Sequence, residues 1–315
     1  MNKRERMECF LAREAYTDGI PAAFFQHFDA SKRHGDAAMQ AQLDFFHDTD
    51  MDMMKIMFDD IYPKFSVEKP EDWRRVPDFA ADDPVFTQQI ELAERLVKAV
   101  GKEAGVYQTI FSPFVSAGCA VSPIPVWDSV VTPHFLADPE AMTAGLTKIA
   151  KTLAAFAQNI AKTGIDGFYV SLQGGEYSRY SPAFFDEWFK PLDVMLLQAL
   201  KDTGKRVILH ICGVNMRLEN YYDYPGDVVN MASVDNHIAL EEARRVFGRP
   251  VMGGIPNHGV IVEGTREEVE AQVRDAMNID TRGIMLGADC TIPKEVSRRR
   301  LRWAVDAAHA MRTGG

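Results

Sequence analysis

Arg206-Val207-Ile208-Leu209-His210-Ile211-Cys212-Gly213 is the stretch from which the rest of the chain can be read. Its apolar run has the length and β-branched content of a buried strand, and a glycine ends it. Side chains at i and i+2 of a strand point to one face, so His210 and Cys212 project together where the strand stops.

Working outward, Ser181-Pro182 opens a helical pattern that runs to about Thr203, just before this strand. A short helix over 216–221 and a strand over 228–233 follow it. The alternation continues in both directions. Toward the C-terminus come a helix over 239–247, a strand over 250–255, a helix over 265–277 with Thr265 and Glu268 as a capping box, a strand over 283–287 and a last helix over about 294–311. Toward the N-terminus come a strand over 168–172, a long helix over 138–162, a strand over 105–111, a helix from Asp83-Pro84 to about Val100, a strand over 52–58, a helix over 36–47, a strand over 22–28 and an N-terminal helix over 3–15. Two stretches, 62–83 and 114–137, read as irregular insertions.

Strands alternating with helices imply a parallel sheet. Eight such units predict one α/β domain over 1–315, a single (β/α)8 TIM barrel with an N-terminal helix. The alternative is an open doubly wound sheet, but no glycine-rich dinucleotide fingerprint follows the first strand.

In a barrel, strand ends share one mouth. Cys290, in Gly287-Ala288-Asp289-Cys290, follows the eighth strand and would meet His210 and Cys212 there. One imidazole and two thiolates suit Zn²⁺, and three protein ligands with an open fourth position suit a catalytic ion. The opposing reading is a chance His-x-Cys pair and buried, inert cysteines. Cys9 and Cys119 have no ligand-like neighbours and read as core.

The 315 residues carry 35 Lys and Arg against 45 Asp and Glu, a net charge of −10. That balance disfavours binding to nucleic acid or to an anionic membrane. No segment approaches the roughly 18 uninterrupted apolar residues of a membrane span. No signal peptide is visible, and four cysteines in such a chain do not make a disulfide framework. The expected compartment is the cytoplasm, where thiols stay reduced.

With these fragments in place, the chain resembles the uroporphyrinogen decarboxylase superfamily of (β/α)8 barrels. His210-Ile211-Cys212-Gly213 and Gly287-Ala288-Asp289-Cys290-Thr291-Ile292-Pro293 resemble the zinc-dependent, corrinoid-linked methyltransferases within it. The resemblance implies a methyl transfer between a small substrate, a methyl ether such as a methoxylated aromatic (O-demethylation) or a thiol, and the cobalt of a corrinoid. No corrinoid-binding Asp-x-His-x-x-Gly pattern occurs in this sequence, so the corrinoid would sit on a separate partner protein.

Phe58-Asp59-Asp60-Ile61 is similar to the decarboxylases' Phe-Ser-Asp-Ile, which gives Asp60 a substrate-binding role by resemblance. The decarboxylases' Arg-Gln-Ala-Gly-Arg-Tyr stretch and late Gly-His-Gly are absent. Metal-free decarboxylation of another carboxylic acid is therefore the second reading.

Other groups expected at the mouth are Glu176, after Gly174-Gly175, as a fourth ligand or general acid/base, and His258, as a hydrogen-bond partner of a substrate oxygen. A solvated carboxylate and a loop histidine are the bland readings. His27 ends the first strand and is a candidate to line the pocket, with a satisfied buried histidine as the bland reading. Tyr177, Tyr180 and the segment Trp73 to Phe79 are candidates for an apolar wall. Met53, Met54 and Met57 read as core packing. The substrate, the direction of transfer and the oligomeric state, a homo-oligomer included, are open at this level.

Overall fold

The computed structural model describes residues 1–122 and 128–312. Eight strands, β1 (Ala22–Ala23), β2 (Met53–Ile56), β3 (Gly105–Phe111), β4 (Gly167–Leu172), β5 (Arg206–Ile211), β6 (Val228–Met231), β7 (Val251–Ile255) and β8 (Ile284–Ala288), form one sheet. Every ladder is parallel, in the order β1-β8-β7-β6-β5-β4-β3-β2. Asp52 N–H donates to Ala22 O at 2.9 Å and links the two ends of that order. The result is a nearly closed (β/α)8 barrel. No helix among the described residues is long and apolar enough to cross a membrane.

The strands are buried on both faces because helices cover the outside. Their sequences are accordingly near-continuous apolar runs. Val207, Leu209, Ile211, Val229, Met231, Val251, Ile284, Met285 and Leu286 are all fully buried. Polar residues interrupt these runs, and some of them, Lys55, His210 and Asn230 among them, belong to the site.

Helix ends follow local chemistry. Asp83 caps Pro84–Val100 by accepting from Val85 N–H. Asp138 caps Pro139–Ile160 through Ala141 N–H. The capping box of Thr265 and Glu268 starts Arg266–Ala276.

The stretch 114–137 departs from expectation. It holds two helices, Pro113–Val121 and Asp128–Ala137. Pro113 stands at a first helical position, where its missing N–H costs nothing, and Ser112 Oγ accepts from Val115 N–H. Pro123 and Pro125 lie outside the described residues. The stretch 62–83 has only the 3₁₀ turn Pro70–Arg75. β1 is shorter than the 22–28 expected, because only Ala22 and Ala23 pair with β8, and Gln26 makes a lone bridge to Ile292. The helix expected over 182–203 contains one π turn, Phe185–Phe189, before resuming as Lys190–Lys201.

Candidate metal centre

His210 lies one residue before the end of β5, and Cys212 follows that end. Cys290 lies two residues beyond β8. Gly213 turns the chain away directly after Cys212. Its φ of +133° is open to glycine, and a Cβ there would stand 2.8 Å from Met216 Sδ.

The three donor atoms lie within 4.8 Å of one another. Cys212 Sγ is 3.6 Å from Cys290 Sγ, and Cys290 Sγ is 3.7 Å from His210 Nε2. Tetrahedral ligation with Zn–S near 2.3 Å and Zn–N near 2.0 Å places sulfurs about 3.8 Å apart and sulfur and nitrogen about 3.5 Å apart. The donor set and its spacing therefore fit a zinc ion.

Asn230 on β6 fixes the imidazole. Its Nδ2 donates to Met252 O (3.0 Å) and Ala288 O (3.2 Å), which leaves Oδ1 as the acceptor. That oxygen lies 2.6 Å from His210 Nδ1 and 2.5 Å from Tyr169 Oη. Nδ1 must then carry the proton, and the lone pair of Nε2 faces the two sulfurs. Tyr169 also stacks on the imidazole, with ring centroids 5.3 Å apart. One buried amide thus ties together side chains or carbonyls of β4, β5, β7 and β8.

Cys290 is held through its neighbour. Asp289 accepts from Ser233 N–H (2.9 Å), Ser233 Oγ–H (3.1 Å), Val234 N–H (3.0 Å) and Asp235 N–H (3.3 Å). Burial lifts its carboxyl to about 6 despite these donors. The Cys212 thiol donating toward Cys290 holds the Cys290 thiol well below its ordinary range, and His210 assists. The same bond, with burial and the charge on Cys290, pushes Cys212 well up. The pair therefore releases one proton readily and keeps the other until a cation takes its place.

A cavity of about 670 Å³ is lined by all three donors, a size suited to a small molecule. Lys55, Asp59 and Asp60 line it too. Asp60 is half-exposed, with a carboxylate oxygen 3.4 Å from His34 Nε2. His27 lines the cavity, as one of its two readings had it, and is about half exposed rather than buried. β1 ends early, so His27 sits on a loop, with Nδ1 bonded to Asp59.

Glu176 stands outside the lining. Arg179 grips its carboxylate with two hydrogen bonds, Nε–H at 2.6 Å and Nη2–H at 3.0 Å. It stays near the ligand loop, since a Cβ at Gly213 would lie 3.5 Å from Glu176 Oε1. His258 is exposed and pairs with Asp235 at 3.1 Å. Asn257 Nδ2 donates to Thr291 O at 3.1 Å, which braces the residue after Cys290.

The expected aromatic wall does not form around this cavity. Tyr177 is exposed beside Arg217, Tyr180 packs among Phe114, Phe135, Phe184 and Phe189, and Trp73 is fully buried with Nε1–H donating to His134. Each ring found apolar or polar partners outside the mouth. Cys119, read as core, is buried and touches the cavity edge, and burial raises its thiol to about 11.

Sequence reasoning overlooked Lys55, Tyr169, Asn230 and Asp289. Two of them carried a signal. Lys55 and Asn230 are single polar interruptions in the apolar runs Met53–Phe58 and Val228–Met231, where a purely structural strand has no use for them.

Known proteins place the chain further. It is 22% identical over 246 residues to the methylcobamide:CoM methyltransferase MtbA of Methanosarcina mazei, covering 78% of this chain and 70% of that one. It is 20% identical over the same shares to the Methanosarcina acetivorans protein of that name. A solved methyltransferase from Methanosarcina mazei shares the fold with a TM-score of 0.76 over 98% of both chains, at 14% identity. The family model described as uroporphyrinogen decarboxylase (URO-D) matches residues 26–311. By that match, the chain belongs to the uroporphyrinogen decarboxylase family.

Proposed function

We propose that this protein is a zinc-dependent methyltransferase that moves a methyl group between a small substrate and the cobalt of a separate corrinoid protein. The substrate heteroatom is a thiol sulfur or the oxygen of a methyl ether such as a methoxylated aromatic. The observation that carries the reading is the convergence of His210 Nε2, Cys212 Sγ and Cys290 Sγ within 4.8 Å on the wall of a small-molecule cavity. The MtbA relatives, named for transfer from a methylcobamide to CoM, support it.

His210, Cys212 and Cys290 would hold the zinc. When bound, it supplies Lewis acidity that stabilises negative charge on the substrate's sulfur or oxygen. The protein's own groups do the rest. Asn230 and Tyr169 keep the imidazole in one tautomer and one orientation. Asp289 anchors the loop that carries Cys290. Asp60, on the cavity, is assigned to taking or giving the proton at the substrate heteroatom. Glu176, clamped by Arg179 beside the ligand loop, and His258, paired with Asp235 at the surface, are assigned to proton handling at the rim. Metal-free decarboxylation leaves the buried donor triad without a role.

Metal analysis of the purified protein, paired with methyl transfer to or from free cob(I)alamin, tests this reading. Stoichiometric zinc is expected in the wild type, with loss of both zinc and transfer in Cys290→Ala. Unchanged zinc in that variant would refute the ligand set. Absence of both zinc and methyl transfer from the folded wild type would favour decarboxylation.

A further inference from the structure

Lys55 is the one charged residue in the run Met53–Phe58, whose other members are buried. Its side chain reaches the cavity at the barrel mouth. Its Nζ lies 4.4 Å from the ring centre of Tyr169 and 4.8 Å from that of Phe25. Among the described residues, none accepts a hydrogen bond from it and no carboxylate pairs with it. Aromatic faces attract a cation but leave its three N–H donors unsatisfied.

The other cations of the cavity are committed. Arg33 Nε–H donates to Phe28 O at 3.2 Å and lies 3.7 Å from Asp59. Lys64 donates to Cys119 O. Of the acids, Asp59 is committed to His27 and Arg33, and Asp60 lies 3.4 Å from His34 Nε2 and does not pair with Lys55. Two thiolates on a divalent ion give a neutral group, so the metal ligands do not compensate Lys55 either. An ammonium largely out of water, with no ion pair and only the charges of Asp59, Cys212 and Cys290 acting on it from farther off, is costly. Burial brings the lysine down to about 8, opposed by the charges of Cys290, Asp59 and Cys212, and an anion paired with it would stabilise the charged form further.

We propose that Lys55 is the anion-recognition group of this cavity, and that the substrate carries a carboxylate or sulfonate that pairs with its ammonium. The reacting heteroatom then faces His210, Cys212 and Cys290, with Phe25 and Tyr169 walling the lysine off from its surroundings. This rests on reading the cavity as the methyl-transfer site, and it makes Lys55 a specificity-determining residue.

Calorimetric titration of wild type and Lys55→Met with 3-mercaptopropionate, 2-mercaptoethanesulfonate and neutral 2-mercaptoethanol decides the matter, with zinc measured on the same samples. The wild type is expected to prefer at least one charged thiol over the neutral one by about tenfold or more, and the tighter of the two names the anion. Lys55→Met should lose that preference while keeping zinc and its affinity for 2-mercaptoethanol, and Lys55→Arg should retain the preference. Equal binding of charged and neutral thiols by the wild type overturns the inference, as does a preference that survives in a folded Lys55→Met. If the wild type holds no zinc, the metal reading fails separately. Propionate and ethanesulfonate, which have no thiol, then test the lysine alone: binding weakened about tenfold in Lys55→Met supports its role, and binding unchanged in the variant overturns it.

Discussion

Asn230 has no polar surroundings except those it makes, and each of its hydrogen bonds orients something the site needs. Asn230→Leu keeps the volume but leaves His210 Nδ1–H and the Tyr169 hydroxyl without their acceptor. Zinc affinity, measured by chelator competition, should fall about 10- to 100-fold, while the far-ultraviolet spectrum stays unchanged. An affinity equal to wild type would remove Asn230 from the account. A second buried polar residue stands outside the cavity lining. Asp193 is 1% exposed, and its carboxyl is lifted to about 8 by burial, with Tyr224 Oη–H 3.2 Å from Oδ2. Because the folded state holds this proton more tightly than the unfolded chain, stability is greatest below the unfolded value near 4 and is lost as pH rises through about 8. Asp193→Asn should flatten that decline. Urea midpoints at pH 5 and pH 8 check it: the variant gains on wild type at pH 8, and a parallel pair of curves contradicts the assignment.

At the level of elements, the turn after β4 shows how packing sets a functional loop. Gly174 has φ of +101°, and a Cβ there would lie 2.4 Å from Phe189 Cζ, inside the π turn Phe185–Phe189. Gly174→Ala should cost about 1–3 kcal/mol by overpacking and strain, read as a lower urea midpoint. It should also disturb the Glu176–Arg179 clamp two residues on. The strands themselves were legible, because β3 and β5 are mostly apolar, with Val207–Leu209 the clearest run, and are bounded by glycine, proline or a polar turn. So were His210, Cys212 and Cys290, since strand ends and residue type suffice to place them at one mouth. The helices inside 114–137 were not, because its glycine and prolines, Pro133 among them, read as breakers, when Pro133 sits within one helix and Gly118 within the other. Asn230 and Lys55 were not read either. Their meaning depends on which neighbour the closed sheet supplies, and Asn230 stands level with His210 only through the β5–β6 register.

The whole molecule depends on closing a cylinder whose first strand has only two paired residues. Asp52, fully buried, does much of that work. Its carboxylate accepts from Arg6 Nε–H at 2.7 Å and Ala22 N–H at 2.8 Å, and it lies 2.8 Å from His309 Nε2. It thereby gathers the N-terminal helix, β1 and the last helix around the start of β2. Asp52→Ala strands the buried guanidinium of Arg6 and should cost about 3–5 kcal/mol, seen as a large drop in the unfolding midpoint. A drop no larger than that of an exposed control such as Asp82→Ala would show that closure rests elsewhere. Closure is also what brings residues 212 and 290, 78 positions apart, to 3.6 Å, so the chemistry is a property of the complete ring. Zinc-edge X-ray absorption on the purified protein tests that claim most directly. The account predicts a first shell of two sulfurs near 2.3 Å, one imidazole nitrogen near 2.0 Å and one further light atom. A shell without sulfur, or no bound zinc, would contradict it.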